Sequence, residues 1–227
     1  MNCLWCDTEI IPEVGWKTLL MPAEQKILCQ PCGDGLKSIT GKRCKKCSRI
    51  SEVTKCNDCI WWEKHTQGKD PLTANLSVFH YNSYIQDVVS RWKYRGDYCL
   101  GMVFKESYKD AFTRYLHFLP DDTIMVPIPL SNERLNERGF NQSAVLSSFL
   151  PLRTEELLAR KHSEKQSKKN RHERIAAENP FELIESINKP VLLADDIYTT
   201  GATLRHAALL LKESGSPSIH ALTLIRG

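Results

Sequence analysis

The sequence predicts an α/β fold with a parallel sheet, preceded by a smaller module that metal-bound cysteines hold together. Three observations support this prediction. Eight of the nine cysteines form four C-x-x-C pairs within the first sixty residues. Two apolar runs further along the chain, 123–130 and 191–194, each lead into a polar turn and a helical pattern. Such runs are typical of buried parallel strands that are joined by crossover helices.

Length and composition agree with two modules. The chain has 227 residues, and what remains after the cysteine-rich head is an ordinary length for one hydrophobic core. We predict a double zinc ribbon at 1–64 and an α/β domain at 72–227. The boundary is expected near Gly68 and Pro71, because the segment between the two modules is polar and contains these breakers.

The α/β domain is expected to begin with a strand at 77–81, an amphipathic helix around 85–92 and a longer helix at 102–119. The strand at 123–130 should lie parallel to its neighbours in the sheet. After 191–203 the pattern predicts a helix that Gly215 and Pro217 end, and then a last strand at 219–225.

The four C-x-x-C pairs indicate two structural zinc ions. Each pair supplies two thiolates on a tight turn, and two pairs complete a tetrahedral site with no open position for catalysis. Sequential and crossed pairings use the same residues, and we favour the sequential one because it makes two compact ribbons. The predicted ligands are Cys3, Cys6, Cys29 and Cys32 for one ion, and Cys44, Cys47, Cys56 and Cys59 for the other.

A disulfide framework and an iron-sulfur cluster are the alternatives for these cysteines. The chain starts without a basic, apolar leader and has no apolar run of transmembrane length. We therefore expect a cytoplasmic protein with no membrane span, in which thiols stay reduced. Cys99 lies apart from the pairs and is expected to be a small buried apolar residue.

The stretch 191–203, VLLADDIYTTGAT, contains the main candidate ligand site. Asp195 and Asp196 follow an apolar strand, and ligands of open α/β sheets bind at the carboxyl ends of strands. The next turn offers hydroxyl donors, and the helix behind it would direct free amides toward a phosphate. The candidate phosphate-binding residues are Tyr198, Thr199, Thr200, Gly201, Ala202 and Thr203. The alternative is an ordinary strand-turn-helix with two solvated aspartates.

Two arginines after the strand at 123–130 form a second candidate group. Arg134 and Arg138 lie in the turn and helix that follow this strand. Guanidinium groups bind phosphate oxygens through paired hydrogen bonds, so both are candidates for a pyrophosphate site. In the alternative, they are ordinary exposed arginines that flank a helix.

Basic residues also cluster, although the formal net charge is only +4. Six of them lie between Lys42 and Lys55, with Glu52 as the acid among them. Such clusters beside Trp61 and Trp62 suit backbone contacts and base stacking on single-stranded DNA. Alternatively, the tryptophans seat the ribbon on the main domain and the lysines keep it soluble.

The stretch 191–203 resembles the ribose-phosphate motif of type I phosphoribosyltransferases. That resemblance implies a phosphoribosyltransferase-like domain in which Asp195 and Asp196 hold the ribose hydroxyls of phosphoribosyl pyrophosphate. The loop would then bind its 5′-phosphate, while Mg²⁺ and the two arginines would neutralise the pyrophosphate. In an active transferase the two aspartates would be the catalytic residues, and the acceptor is not identifiable from the sequence.

The whole chain resembles the ComF-type competence proteins. The resemblance rests on the four C-x-x-C pairs, KYRGD at 93–97, ERGFNQ at 137–142 and DDIYTTGAT at 195–203, in that order. It implies a cytoplasmic factor, membrane-associated through its partners, that helps to internalise single-stranded DNA during natural transformation. The implied partners are the helicase-like ATPase ComFA and the recombination mediator DprA.

The chain departs from the family pattern in the loop that would close over pyrophosphate. Family members commonly have Thr-Pro-Gln there, whereas this chain has SEKQ at 163–166, followed by cations that include Arg171. Arg171 is therefore a further candidate ligand, and the departure leaves transferase turnover open. The competing functions are an active phosphoribosyltransferase of unknown acceptor and, last, a metabolite-sensing regulator, for which no helix-turn-helix is present.

Overall fold

The computed structural model describes residues 1–11, 26–94, 97–161 and 178–227. Its helices are α1 (Gln30–Gly35), α2 (Asn57–His65), α3 (Ser83–Tyr94), a 3-10 helix (Tyr98–Phe104), α4 (Lys105–Tyr115), α5 (Asn132–Arg138), α6 (Gln142–Ser147) and α7 (Ala202–Glu213). Its strands are β1 (Ala74–His80), β2 (Ile124–Pro127), β3 (Leu158–Arg160), β4 (Phe181–Leu183), β5 (Val191–Tyr198) and β6 (Ile219–Arg226). The lid candidate Arg171 lies outside the described residues.

Four strands form one parallel sheet in the order β1-β6-β5-β2, and β3 and β4 form a separate antiparallel pair. In the central strand β5, Val191, Leu192, Leu193 and Ala194 are all 0% exposed. Helices cover both faces, as expected for parallel strands that are buried on both sides. The predicted α/β fold with a parallel sheet is confirmed.

The core has one layer on each face of the sheet. On one face Trp92 is fully buried against Phe104, and the Tyr108 hydroxyl donates to the Leu222 carbonyl at 3.0 Å. On the other face the apolar side of α7, including Leu204 and Leu211, packs against β5 and β6. The second group of cysteines belongs to this same apolar cluster, so it lies against the sheet.

Two elements differ from the sequence prediction. β5 runs to Tyr198 and thus includes both aspartates, because pairing with β6 continues through Asp195 and Ile197. The helix predicted from 102 begins instead as a 3-10 helix whose inner side is Leu100, Gly101 and Phe104. A three-residue period turns Cys99 outward, so the expectation that Cys99 is buried is wrong: it is exposed. Among the described residues no helix is both long enough and apolar enough to cross a membrane.

Candidate functional site

The eight paired cysteines gather into two clusters. Cluster 1 is Cys3, Cys6, Cys29 and Cys32, and cluster 2 is Cys44, Cys47, Cys56 and Cys59; in each, the four sulfur atoms lie within 4.8 Å of one another. The grouping is the sequential one. Four thiols within mutual reach could hold one metal ion, and an all-sulfur set is consistent with structural zinc.

The two clusters are built by the same local geometry. In each, the first C-x-x-C pair forms a turn that a residue with φ of 60° closes, Asp7 in one and Ser48 in the other. The second pair begins a helix, with Cys29 at the N-cap of α1 and Cys56 at the N-cap of α2. A turn and a helix start therefore face each other, which brings the four sulfurs together.

The two aspartates lie at the end of β5 with different partners. Asp195 Oδ1 accepts hydrogen bonds from the Asp196 backbone N–H at 2.9 Å and from the Ser143 hydroxyl at 3.3 Å. Asp196 forms an ion pair with Lys93. Asp195 therefore contacts α6, and Asp196 contacts the end of α3.

Burial, together with the negative charge of Asp196, raises the pKa of Asp195 to about 7. The nearby cation of Lys93 and the Ser143 hydroxyl oppose this rise only partly. Asp195 can therefore exchange a proton near neutral pH, and its charge depends on what binds beside it.

Lys93 is a site residue that sequence reasoning did not identify. Its side chain is only 12% exposed and is paired with Asp196. Its position in KYRGD, at the end of an amphipathic helix, was the available signal. The partner could not be found from the sequence, because 103 positions separate the two residues.

The loop after β5 turns at a glycine directly before α7. Gly201 has a φ of 76° and precedes the first residue of α7. A Cβ at Gly201 would lie 2.2 Å from the Tyr198 hydroxyl oxygen, so the position requires glycine for space as well as for conformation. The Ala202 backbone N–H donates to the Thr200 hydroxyl at 3.3 Å. The helix α7 begins six residues after Asp196.

The candidate arginines are not equivalent. Arg134 is exposed on α5, whereas Arg138 is buried, donates to the Gln142 side-chain oxygen at 2.8 Å and lies 5.4 Å from the Tyr94 ring centre. Arg160 on β3 is not among the residues predicted from the sequence, yet it lies close enough to Arg134 and Asp195 for their charges to act on it. Burial and the charge of Arg134 lower the pKa of Arg160, while the charge of Asp195 raises it. Arg134 and Arg160 therefore bring positive charge to this end of the sheet.

Three curated relatives match most of the chain. It is 38% identical over 233 residues to competence protein ComFC of Bacillus subtilis (strain 168), covering 99% of this chain and 94% of that protein. It is 32% identical over 229 residues to competence protein ComFC of Streptococcus pneumoniae, covering 100% of both. Competence protein F of Haemophilus influenzae is 27% identical over 218 residues, which cover 88% of this chain and 90% of that protein. No family model matches the chain.

Solved phosphoribosyltransferases give weaker likenesses. A hypoxanthine phosphoribosyltransferase from Staphylococcus aureus has a TM-score of 0.31 and 22% identity, covering 62% of this chain and 64% of that chain. A purine phosphoribosyltransferase from Pyrococcus horikoshii has a TM-score of 0.28 and 13% identity, covering 67% of this chain and 87% of that chain. The family assignment therefore rests on the sequence relatives.

Proposed function

Because the chain belongs to the ComFC family of competence proteins, we propose that it helps to internalise single-stranded DNA and that its α/β domain binds phosphoribosyl pyrophosphate. The observation that supports ligand binding is the position of two carboxylates, Asp195 and Asp196, directly beside the Gly201 turn and the start of α7. Acceptors for sugar hydroxyls and donors for a phosphate thus lie within one strand-turn-helix unit.

Different residues of the site bind different parts of the ligand. Asp195 and Asp196 accept hydrogen bonds from the ribose hydroxyls. Within the described part of the chain both donors to Asp195 bind its Oδ1, which leaves Oδ2 to accept from the ribose. The loop of Tyr198–Thr203 donates to the 5′-phosphate. Arg134 and Arg160 face the pyrophosphate, while Arg138 is held by Gln142 and acts as a brace. When bound, magnesium neutralises pyrophosphate charge.

Calorimetry with phosphoribosyl pyrophosphate and Mg²⁺ tests this proposal. The Asp195→Asn, Asp196→Asn double variant should bind at least about a hundredfold more weakly, because two charge-assisted hydrogen bonds of roughly 1.5–3 kcal/mol each are lost. Unchanged affinity would exclude the assigned roles.

Thermal melting serves as the folding control for that experiment. The pKa of Asp195 is raised in the folded protein, so burying its charge opposes folding above the unfolded-state value of 3.8 and most fully above about 7. Asn carries no charge. Asp195→Asn alone should therefore melt no lower than the wild type at pH 8, and a large fall would indicate that the aspartate braces the turn.

The DNA part of the proposal rests on the family and on the basic surface. It is tested by titrating labelled single-stranded and duplex oligonucleotides at several salt concentrations. Preference for the single strand is expected, and equal binding of both would favour a regulator instead. Co-elution of purified ComFA or DprA with the protein tests the proposed partners. Separate elution of both would contradict these partnerships.

One observation favours a second function, an active phosphoribosyltransferase of unknown acceptor. Two carboxylates, Asp195 and Asp196, lie together at the end of β5, where their negative charge would stabilise an oxocarbenium-like ribose. Release of pyrophosphate in the presence of candidate acceptors, absent in the double variant, would establish turnover. Binding of phosphoribosyl pyrophosphate without release of pyrophosphate would indicate a ligand sensor instead.

A further inference from the structure

The carbonyl side of the phosphate loop is held by side chains from other parts of the chain. One guanidinium, that of Arg226, donates to the Tyr198 carbonyl at 3.2 Å and to the Thr199 carbonyl at 3.1 Å. The Trp62 indole N–H donates to the Thr200 carbonyl at 2.8 Å. Three successive carbonyls are thus fixed on one side, which leaves the loop amides to face the other side, where an anion would bind.

Both donors are connected to cluster 2. Trp62 lies on α2, whose first turn carries Cys59 and whose N-cap is Cys56. The second terminal nitrogen of Arg226 lies 3.9 Å from the sulfur of Cys47. A single side chain therefore spans the distance from a predicted metal ligand to the phosphate loop.

A buried ion pair holds the tryptophan in place. The Arg205 guanidinium lies 4.3 Å from the Trp62 ring centre and forms two hydrogen bonds to Asp70, at 3.1 and 2.9 Å. The side chains of Arg205 and Asp70 are only 5% and 8% exposed. Arg205 also donates to the Tyr198 hydroxyl at 2.9 Å, so one cation supports both the indole and the first residue of the loop.

Cluster 1 has no corresponding contact in the described part of the chain. Its tryptophan, Trp5, packs edge-on against Tyr84 of α3 at 5.7 Å, and its carbonyl accepts from Arg91 at 3.2 Å. These contacts lie on the helix before the 3-10 helix and do not involve the phosphate loop. Each cluster thus has a tryptophan beside it. Trp62 contacts the phosphate loop, whereas Trp5 contacts α3.

We propose that cluster 2 and α2 form a positioning part of the phosphoribosyl site, in which Trp62, Arg205 and Arg226 hold the loop carbonyls so that its amides face the phosphate. This inference rests on the proposed phosphoribosyl binding. Loss of these donors should loosen the loop even though none of the three residues touches the ligand. Cluster 1 should have no such effect.

The decisive variant is Trp62→Phe, which removes the indole N–H but keeps an aromatic ring beneath Arg205. Leaving a part-buried carbonyl unpaired should weaken binding of phosphoribosyl pyrophosphate with Mg²⁺ by roughly three- to tenfold. Backbone amides at 199–204 should exchange hydrogen faster, while elemental analysis still finds the wild-type zinc content. Trp5→Phe is the matched control, and it should change neither measurement.

Exchange measured without ligand separates this inference from the proposed function. If the wild type binds no phosphoribosyl pyrophosphate but Trp62→Phe still speeds exchange at 199–204, the function fails and the positioning role stands. If Trp62→Phe alters neither exchange nor affinity, or if Trp5→Phe alters both equally, the inference is overturned. Arg226→Met provides a second variant, because it removes both hydrogen bonds to the loop carbonyls and keeps a side chain of similar length. It should also speed exchange, and unchanged exchange in both variants would count decisively against the inference.

Discussion

The two cysteine clusters have the same internal construction but different surroundings. In cluster 2 all four cysteines are buried, and they belong to the apolar cluster that covers one face of the sheet. In cluster 1, Cys6 is exposed and Cys29 half-buried, and the contacts run to α3. The same local motif is therefore fully buried in cluster 2 and partly exposed in cluster 1. Sequence spacing sets the motif, whereas the surroundings determine what the motif supports.

The largest expected difference between the clusters is their contribution to stability. Wild-type protein should contain two zinc ions, and Cys59→Ser and Cys6→Ser should each contain one. The free energy of metal binding at a structural site contributes to the stability of the fold. Losing the buried site should therefore cost several kcal/mol and lower the melting temperature by roughly 10 °C or more. Losing the exposed site should lower it by less than about 4 °C.

Elemental analysis and calorimetric melting of the same samples provide the measurement. Iron, or a single zinc ion in the wild type, would contradict the assignment of two zinc sites. Equal falls in melting temperature for Cys59→Ser and Cys6→Ser would show that the buried position of cluster 2 does not matter for stability.

The next difference concerns the arginine beside each tryptophan. Arg205 forms a buried pair with Asp70, and removing one partner of such a pair typically costs about 3–5 kcal/mol, because the other charge stays buried. Arg91 is paired with Asp97, with side chains 39% and 30% exposed, and a pair of this kind contributes about 1 kcal/mol or less. Arg205→Ala should therefore destabilise far more than Arg91→Ala.

Urea unfolding of both variants measures this difference directly. Asp70 keeps a second cation at 3.6 Å in Lys46, which should moderate the loss. The double variant Arg205→Ala, Asp70→Ala should recover part of the stability, since the buried carboxylate is removed together with its arginine partner. Equal destabilisation by Arg205→Ala and Arg91→Ala would remove the distinction between the two surroundings.

A third test uses pH, because the end of the sheet that contacts cluster 2 carries a carboxyl with a raised pKa. Protonated Asp195 accepts sugar hydroxyl hydrogen bonds poorly, so affinity for phosphoribosyl pyrophosphate should rise with pH up to about 7 and level off above it. Below this pKa the change is at most about tenfold per pH unit, because one proton is involved.

Calorimetry from pH 6.5 to 8.5 checks this dependence. The Trp5→Phe variant should follow the wild-type curve, since cluster 1 does not contact β5. Asp195→Asn should bind weakly with a flatter curve. A wild-type affinity that does not change with pH would mean that Asp195 does not change charge when the ligand binds.

Local patterns predicted much of this molecule. The apolar run at 191–194 gave the central strand, and C-x-x-C spacing gave both cysteine clusters, because each depends on residues that are close in sequence. Arg138 is predicted as a ligand from its residue type and its position after a strand, and the structure adds that it is buried and donates to Gln142. Its burial depends on how α5 and α6 pack, which no local pattern records.

Two contacts at the site that sequence reasoning missed are long-range. Lys93 to Asp196 and Trp62 to Thr200 join residues that lie more than one hundred positions apart. The predicted boundary between head and domain, near Gly68, separates Trp62 from Thr200, although the two meet in the fold. The sequence favoured two modules because composition changes there, but composition does not reveal which surfaces touch.

The smallest expected difference concerns DNA, since ion pairs engage most of the basic residues around cluster 2. Lys42 pairs with Glu52 at 2.8 Å, Arg49 with Asp58 at 2.7 Å, and Lys55 with Glu63 at 2.7 Å. Two of these acids, Asp58 and Glu63, lie beyond the basic run on α2, so the sequence alone made this surface look more positive than it is. Exposed Lys45 has no acidic partner among the described residues and should therefore contribute most per residue.

Lys45→Ala should reduce the slope of log affinity against log salt for single-stranded DNA by about 0.7, which corresponds to one phosphate contact. The matched control is Lys26→Ala, an exposed lysine beside cluster 1, which should leave the slope unchanged. Lys42→Ala should have a smaller effect than Lys45→Ala, because the ion pair with Glu52 already neutralises the charge of Lys42. Equal slopes in all three variants would mean that DNA does not cross cluster 2, and the strand would then have to be sought near Arg134 and Arg160.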